Sequence, residues 1–336
     1  MPKKSKTKYT DYAFDFFDTV AVITGYEDNE AEFKATIDEL YDILRNCHQQ
    51  YNIYLSYEGV NNLLAINKVD KASGQHNRVP VAQETWDMLK FSKYIYDLTD
   101  GKTNVAMGSV LSLWHKAREY GADNPSKAYL PDRNELLAAS EHVDFEKIEF
   151  DESTRSIFIS DPEQSIDAGA VAKGYAIELM AKHLEEKGKT GYCLNVGGNI
   201  RTIGKRGDGA KWGVGLENPL ADTVNGNGED IYISVLELVD KAMATSGSYQ
   251  RYYTVDGVQY HHIIDPVSLM PENRWLSVSI VCNDAGMADG LSTALFNMSF
   301  EEGSALIESL DDVEAIWMTP EGTIKKSSGF SQYERQ

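Results

Sequence analysis

The chain has 336 residues, enough to bury a substantial core as one large domain or as two joined halves. Its 42% hydrophobic and 25% charged composition is that of a globular protein. A formal charge of −20 excludes a general nucleic-acid binder, which needs a basic surface to release counterions from phosphates.

The basic run "MPKKSKTK" opens the sequence, and residues 1–12 read as a flexible tail. Phe33, Ile37, Leu40, Tyr41 and Leu44 recur at helical spacing over residues 30–45, and "YNIYLSYEGVNNLLAIN" reads as strand material broken by a glycine turn. A helix is predicted from Glu84 to Leu98. "TDGKTNVAMGSVLSLWHKAREYG" passes from a polar loop into a helix around Leu111 to Tyr120. "KIEFDESTRSIFIS" predicts a hairpin. In "SIDAGAVAKGYAIELM" and beyond, Ala176, Ile177, Met180, Ala181 and Leu184 share one helical face, with Glu178, Lys182, Glu185 and Glu186 on the other.

"YCLNVGG" predicts a strand and tight turn, "WGVGLENP" a further strand, and Leu220 to Asp230 an exposed loop. In "RYYTVDGVQYHHII", Asp256 and Gly257 sit between two strand-like runs, a hairpin signal. "WLSVSIVCNDAGMADGLSTALFNM" reads as strand, turn and helix, and "VEAIWMTPEGTIKKS" as a closing hairpin. The whole predicts a mixed fold without internal repeats: one domain over 13–330 and a tail at 331–336. Cys47, Cys193 and Cys282 form no C-x-x-C and read as buried thiols rather than disulfides or zinc ligands. No run of roughly 18 apolar residues and no signal-peptide core occurs, so the chain reads as soluble.

Polar islands at the ends of apolar runs carry the chemistry. Asp167, Gly169 and Lys173 stand at the start of a helix, where free N–H groups favour an anion; the plainer alternative is a strand-ending aspartate and a solvated lysine. Asp289 and Thr293, four residues apart, present two hard oxygens on one helical face, suited to Mg²⁺; alternatively Asp289 caps the helix and Thr293 bonds back to its backbone. Gly197 and Gly198 either make a tight turn or let the backbone approach a ligand. His261 and His262 are neighbours on a strand, so at most one faces a given cleft, and Asp265 before a proline also fits a turn. Neither G-x-G-x-x-G after a strand nor G-x-x-x-x-G-K-[ST] is present.

In this order, D-x-x-x-x-x-K-G-Y-A from Asp167, N-x-G-G-N from Asn195, T-S-G from Thr245, H-x-x-D-P from His262 and A-D-x-L-S-T-A-L from Ala288 closely resemble the ApbE family, the FAD:protein FMN transferases. The likeness runs from "FFDTVAVITGY" onward and is strongest after residue 160. It implies a bilobed α+β fold with mainly antiparallel sheets, flanking helices and a ligand cleft between lobes. It also implies that Asp289, Thr293 and the Ala170 carbonyl hold Mg²⁺, that Asp167 and Lys173 contact FAD, that Tyr57 is the flavin-binding tyrosine, and that Ile263 lines the pocket. Thr103, Asn104, Gly197 and Gly198 complete the implied FAD-binding set.

Two stretches depart from the family pattern: Phe17, Asp18 and Thr19 replace M-G-T, and Lys102 to Asn104 with Met107 to Ser109 replace A-F-D and V-G-P. The resemblance implies transfer of FMN from FAD to a threonine or serine of an acceptor protein, with release of AMP, His262 as base or phosphate-orienting group and Asp289 in the catalytic set. An FAD pyrophosphatase and a non-catalytic FAD carrier are the alternatives. Family acceptors carry D-x-x-[ST]-G-A-[ST]; "DLTDGKT" from Asp97 departs at its fourth and sixth positions, so the acceptor is expected on another protein. The expected location is extracytoplasmic in bacteria, with a lipid anchor in a longer precursor. A cytoplasmic location stays open because no signal is present.

Overall fold

The computed structural model describes residues 6–221 and 231–335. In chain order these form β1 (Thr7–Phe16), β2 (Thr19–Glu27), α1 (Glu30–Gln50), α2 (Leu63–Ile66), the short strands β3 (Val69–Asp70), β4 (Gln75–His76) and β5 (Val79–Pro80), α3 (Gln83–Leu98), α4 (Gly108–Asp123) and α5 (Arg133–Ser140). Next come β6 (Ile148–Asp151), β7 (Ser156–Ile159), α6 (Ala172–Glu186), β8 (Tyr192–Val196), β9 (Asn199–Ile203), β10 (Trp212–Glu217), β11 (Tyr232–Leu238) and β12 (Ala242–Gly247). The chain closes with β13 (Tyr252–Val255), β14 (Val258–His261), β15 (Ser277–Cys282), α7 (Ala285–Phe296), α8 (Phe300–Glu308), β16 (Glu314–Met318) and β17 (Ile324–Lys326).

An eight-stranded sheet in the order β1-β2-β8-β9-β12-β15-β16-β17 is the frame, and its pairs are antiparallel. Strand alternation splits its side chains between two cores. Ala244 and Ile280, paired across β12 and β15, face a large core shared with α1, α3, α6 and α7. Met243 and Val281, one residue away, face a second core closed by β10 and β11. A third core packs α4 and α5 against the β13–β14 hairpin through Val110, Trp114, Leu136 and Tyr253. In that hairpin Asp256 and Gly257 both take positive φ (49° and 82°), the two-residue turn its sequence predicts.

Several expectations give way. Residues 7–12 belong to β1 rather than to a flexible tail. At the other end Phe330 is fully buried, Phe330–Tyr333 forms a 3-10 turn, and Arg335 N–H donates to the Val235 carbonyl, so residues 331–335 are docked. The segment 51–67 makes no extended strand: Asn52 Oδ1 accepts the N–H groups of Tyr54 and Leu55, and Asn62 Oδ1 that of Ala65, so side chains take backbone donors a ladder would need. Residues 222–230 of the expected loop lie outside the described residues.

Glu178 also leaves its assigned polar face. It is buried, accepts Arg201 Nε at 3.1 Å, and takes the first N–H of α7, from Ala285, at 2.9 Å. Cys47 and Cys282 are buried and Cys193 is half-buried; burial pushes all three thiols up to about 12. Among the described residues no helix is long and apolar enough to cross a membrane.

Candidate active site

A cavity of about 670 Å³ lies where the large core meets the smaller unit built on α4 and the β13–β14 hairpin. Its volume is within the ordinary range for small-molecule sites. Asp167, Ala170, Lys173, Gly197, His262, Ile263, Asp289 and Thr293 all line it.

At one corner α6 and α7 pack so closely that Gly174 has no room for a Cβ, which would meet the Ala285 carbonyl oxygen at 2.3 Å. The close approach lets Asp289 Oδ2 accept the Gly174 N–H at 2.8 Å. That N–H would ordinarily bond to the Ala170 carbonyl, four residues back, which accepts no backbone hydrogen bond from a described residue. Asp284, not Asp289, caps α7 through the Met287 N–H. Thr293 Oγ1 is 3.5 Å from the Asp289 carbonyl and 3.4 Å from Ser246 Oγ, so neither contact holds it firmly.

Among the described residues no three His, Cys, Asp or Glu side chains converge as a metal cluster. The corner nonetheless fits Mg²⁺. It combines one carboxylate, one hydroxyl and a carbonyl released from its helix, all hard oxygens, with cavity space for water and phosphate. Lys173 Nζ stands 3.8 Å from Asp289 Oδ2 and adds a cation to the same corner.

Asp167 is held by a device that the sequence did not reveal. The Asn67 amide grips both backbone groups of Ile166, donating to its carbonyl at 2.8 Å and accepting its N–H at 2.7 Å. Asp167 Oδ1 then accepts the Gly169 N–H, and Oδ2 lies 3.9 Å from His115 Nε2. His115 in turn is 2.9 Å from the Tyr54 hydroxyl. Burial lowers the His115 pKa, against the pull of Asp167.

The two histidines of β14 and its exit separate as strand geometry requires. His261 is buried, its Nε2 donating to the Glu272 carbonyl while Nδ1 accepts the Ile263 N–H. His262 faces the cavity. Its Nδ1 lies 3.2 Å from the Arg251 carbonyl, which can only accept, so Nδ1 carries the proton and Nε2 keeps a free lone pair. Desolvation, with Arg251, Arg118 and His261 nearby, pushes His262 down to about 3. Asp265 is a turn residue, its carboxylate accepting the Ser268 N–H and lying 3.4 Å from Lys102 Nζ.

Other expected contacts are displaced. Tyr57 is not among the lining residues, its hydroxyl lying 3.3 Å from His48 Nε2, while His48 and Tyr54 line the cavity. Thr103 is buried and donates to the Gly290 carbonyl at 2.8 Å, which makes it a tie between its loop and α7 rather than a cavity residue. Asn104 reaches the cavity, but its amide is engaged by the Val143 carbonyl and the Ala106 N–H. Gly197 lines the cavity and Gly198 does not. Gly198 donates its N–H to Asn195 Oδ1, closing the turn, and a Cβ on Gly197 would meet Thr19 Oγ1 at 2.6 Å. Phe17 and Asp18, both at positive φ, turn Thr19 into the same wall.

Two buried polar atoms on the wall lack protein partners among the described residues: Asn199 Nδ2, from the N-x-G-G-N island, and Asn297 Oδ1, at the end of α7. Such atoms call for a ligand or water. Lys102, Lys173, Arg118 and Arg251 line the same cavity with Asp18, Glu119, Asp167 and Asp289, so its charged groups balance in a chain whose formal charge is −20.

A sequence profile described as the ApbE family matches residues 17–317. The chain belongs to the ApbE family. It is 30% identical over 274 residues to a protein of Klebsiella pneumoniae (strain 342) named FAD:protein FMN transferase, covering 79% of this chain and 80% of the relative. The crystal structure of an ApbE protein from Thermotoga maritima shares its fold with a TM-score of 0.82 at 26% identity, over 98% of this chain and all of that one. The flavin transferase ApbE from Vibrio cholerae matches with a TM-score of 0.78 at 25% identity, over 98% and 99% of the two chains. The mixed helices and antiparallel sheets expected of an ApbE fold are those observed.

Proposed function

We propose that this chain is an FAD:protein FMN transferase that moves FMN from FAD to a threonine or serine hydroxyl of an acceptor protein and releases AMP. The observation that carries the reading is the α6–α7 corner. Asp289 takes the Gly174 N–H, the Ala170 carbonyl is left without that partner, and both line one cavity with Thr293 and Lys173.

Asp289, Thr293 and the Ala170 carbonyl would hold Mg²⁺. When bound, the ion would neutralise charge on the pyrophosphate oxygens. Lys173 adds a charge-assisted contact to a phosphate, and Asn199 and Asn297 offer an unused donor and acceptor to the remaining FAD groups. The acceptor oxygen bonds to the FMN-side phosphorus while the bond from that phosphorus to the bridging oxygen breaks, and AMP departs with that oxygen. The hydroxyl proton passes to the free Nε2 of His262 and then to solvent. Because His262 is neutral at ordinary pH, that lone pair is open when the acceptor arrives. The proposed acceptor segment is of the D-x-x-[ST]-G-A-[ST] type.

The test is incubation with FAD, Mg²⁺ and a folded acceptor domain, followed by intact mass measurement and AMP detection. The reading expects FMN added to the acceptor with one AMP per transfer. AMP and free FMN without labelling would replace it with an FAD pyrophosphatase, and unchanged FAD with a carrier.

A further inference from the structure

Of the four cavity-lining cations among the described residues, Lys173 serves the phosphate in the proposed reaction and Lys102 faces Asp265 at 3.4 Å, which leaves Arg118 and Arg251. Arg118 projects from α4 and Arg251 immediately precedes β13, both on the unit that holds His262. Neither guanidinium forms an ion pair or hydrogen bond with a described residue, although Asp and Glu outnumber Lys and Arg by 52 to 32 in the chain. Glu119 and Asp167 influence Arg118 without pairing to it, and burial and the like charge of Arg251 oppose its charged state. Two unpaired arginines on one wall repel each other, and that cost is offset when an anion enters between them.

The proposed reaction brings the FAD pyrophosphate into this cavity, and the expected D-x-x-[ST]-G-A-[ST] acceptor segment carries an aspartate near its hydroxyl. The α6–α7 corner already supplies Lys173 and the hard-oxygen set for the pyrophosphate. Arg251 is tied instead to His262, because its carbonyl fixes the imidazole that receives the incoming proton. Its charge therefore belongs to the part of the site that meets the acceptor.

We propose that Arg118 and Arg251 form a docking site for an acidic side chain of the acceptor segment, close in sequence to the hydroxyl being modified, and so select which hydroxyl is presented. This rests on the FMN-transfer reading. A guanidinium suits the role because its planar fork binds a carboxylate through two parallel hydrogen bonds, fixing orientation as well as proximity.

The test compares the parent with Arg118→Gln, Arg251→Gln and the double variant. The probe is a folded acceptor domain in two forms, native and with the acidic residues nearest its modified threonine changed to amides. Expected are an FAD affinity within about twofold of the parent, a KM for native acceptor raised roughly tenfold, and little further loss with the amide acceptor. Unchanged melting curves would confirm that the variants fold. A fall in FAD affinity would assign the arginines to a substrate phosphate and overturn the proposal. Unchanged acceptor kinetics, or an equal loss with both acceptor forms, would overturn it as well. If the parent transfers no FMN to either form, the transfer reading falls and this inference with it.

Discussion

Asp289 on α7 accepts the backbone N–H of Gly174 on α6 at 2.8 Å, so the packing of two helices and the geometry of the candidate metal corner are one feature. Gly174→Ala should damage both. The added Cβ would meet the Ala285 carbonyl oxygen at 2.3 Å and the Asp289 Cβ at 2.5 Å, and the backbone carbonyl cannot rotate away as a flexible side chain could. The overpacking cost is about 1–3 kcal/mol, with weaker Mg²⁺-dependent FAD binding. Urea denaturation and calorimetry on one preparation check both effects. Parental stability would mean that the helices separate freely.

Asp289→Asn and Thr293→Val separate charge from packing. An asparagine oxygen can still accept the Gly174 N–H, so stability should change by no more than about 1 kcal/mol. The anionic ligand is lost, and the response to Mg²⁺ should weaken by roughly 10- to 100-fold or more, with a smaller loss for Thr293→Val. Asp284 caps α7, so a capping role cannot explain a loss at position 289. Full Mg²⁺-dependent AMP release by Asp289→Asn would remove the metal assignment.

The buried Glu178–Arg201 pair offers a test away from the cavity. Glu178 accepts Arg201 Nε and the Ala285 N–H, while Arg201 also reaches Glu185 at 2.9 Å and the Thr202 carbonyl at 2.7 Å. Removing one partner strands the other inside the protein. Arg201→Met should therefore cost about 3–5 kcal/mol, whereas Glu185→Gln, whose carboxylate is more exposed, should cost about 1 kcal/mol or less. Denaturation midpoints compared at constant m-value decide between them.

What the sequence made legible was local. The α7 spacing of Asp289 and Thr293, the paired glycines after β8 and the Asp256–Gly257 turn each depend on neighbours a few residues away. What it hid depends on distant partners. Glu178 reads as a surface residue by helical period, and its burial follows from Arg201 on β9. Thr103 reads as a ligand contact by position, yet its hydroxyl is taken by a carbonyl 187 residues on. Tyr54 rather than Tyr57 faces the cavity because Asn52 and Asn62 fold the segment into turns, which no alternating pattern announces. Arg118 and Arg251 lie in stretches that read as a helix and a hairpin, patterns that give neither guanidinium a role.

His262 supplies a prediction with a definite sign. Its pKa is pushed down from the ordinary 6.5 to about 3, chiefly by desolvation. Between those values the unfolded chain binds a proton at this position that the folded chain lacks, so the stability contribution is fully present above about 6.5 and is lost as pH falls toward about 3. His262→Ala should flatten the acid side of the stability curve relative to the parent, because the carboxylates titrating in the same range are common to both proteins. The transfer rate should show no acid limb near pH 6.5 arising from this imidazole, since Nε2 is already unprotonated there. Single-turnover transfer at saturating FAD, measured from pH 5 to 8, should be slowed by His262→Ala by roughly 10²- to 10⁴-fold with a smaller change in FAD affinity. An acid limb near pH 6.5 in the parent that vanishes in the variant would show an imidazole titrating normally, and a base held neutral by the cavity wall would then be the wrong description of His262.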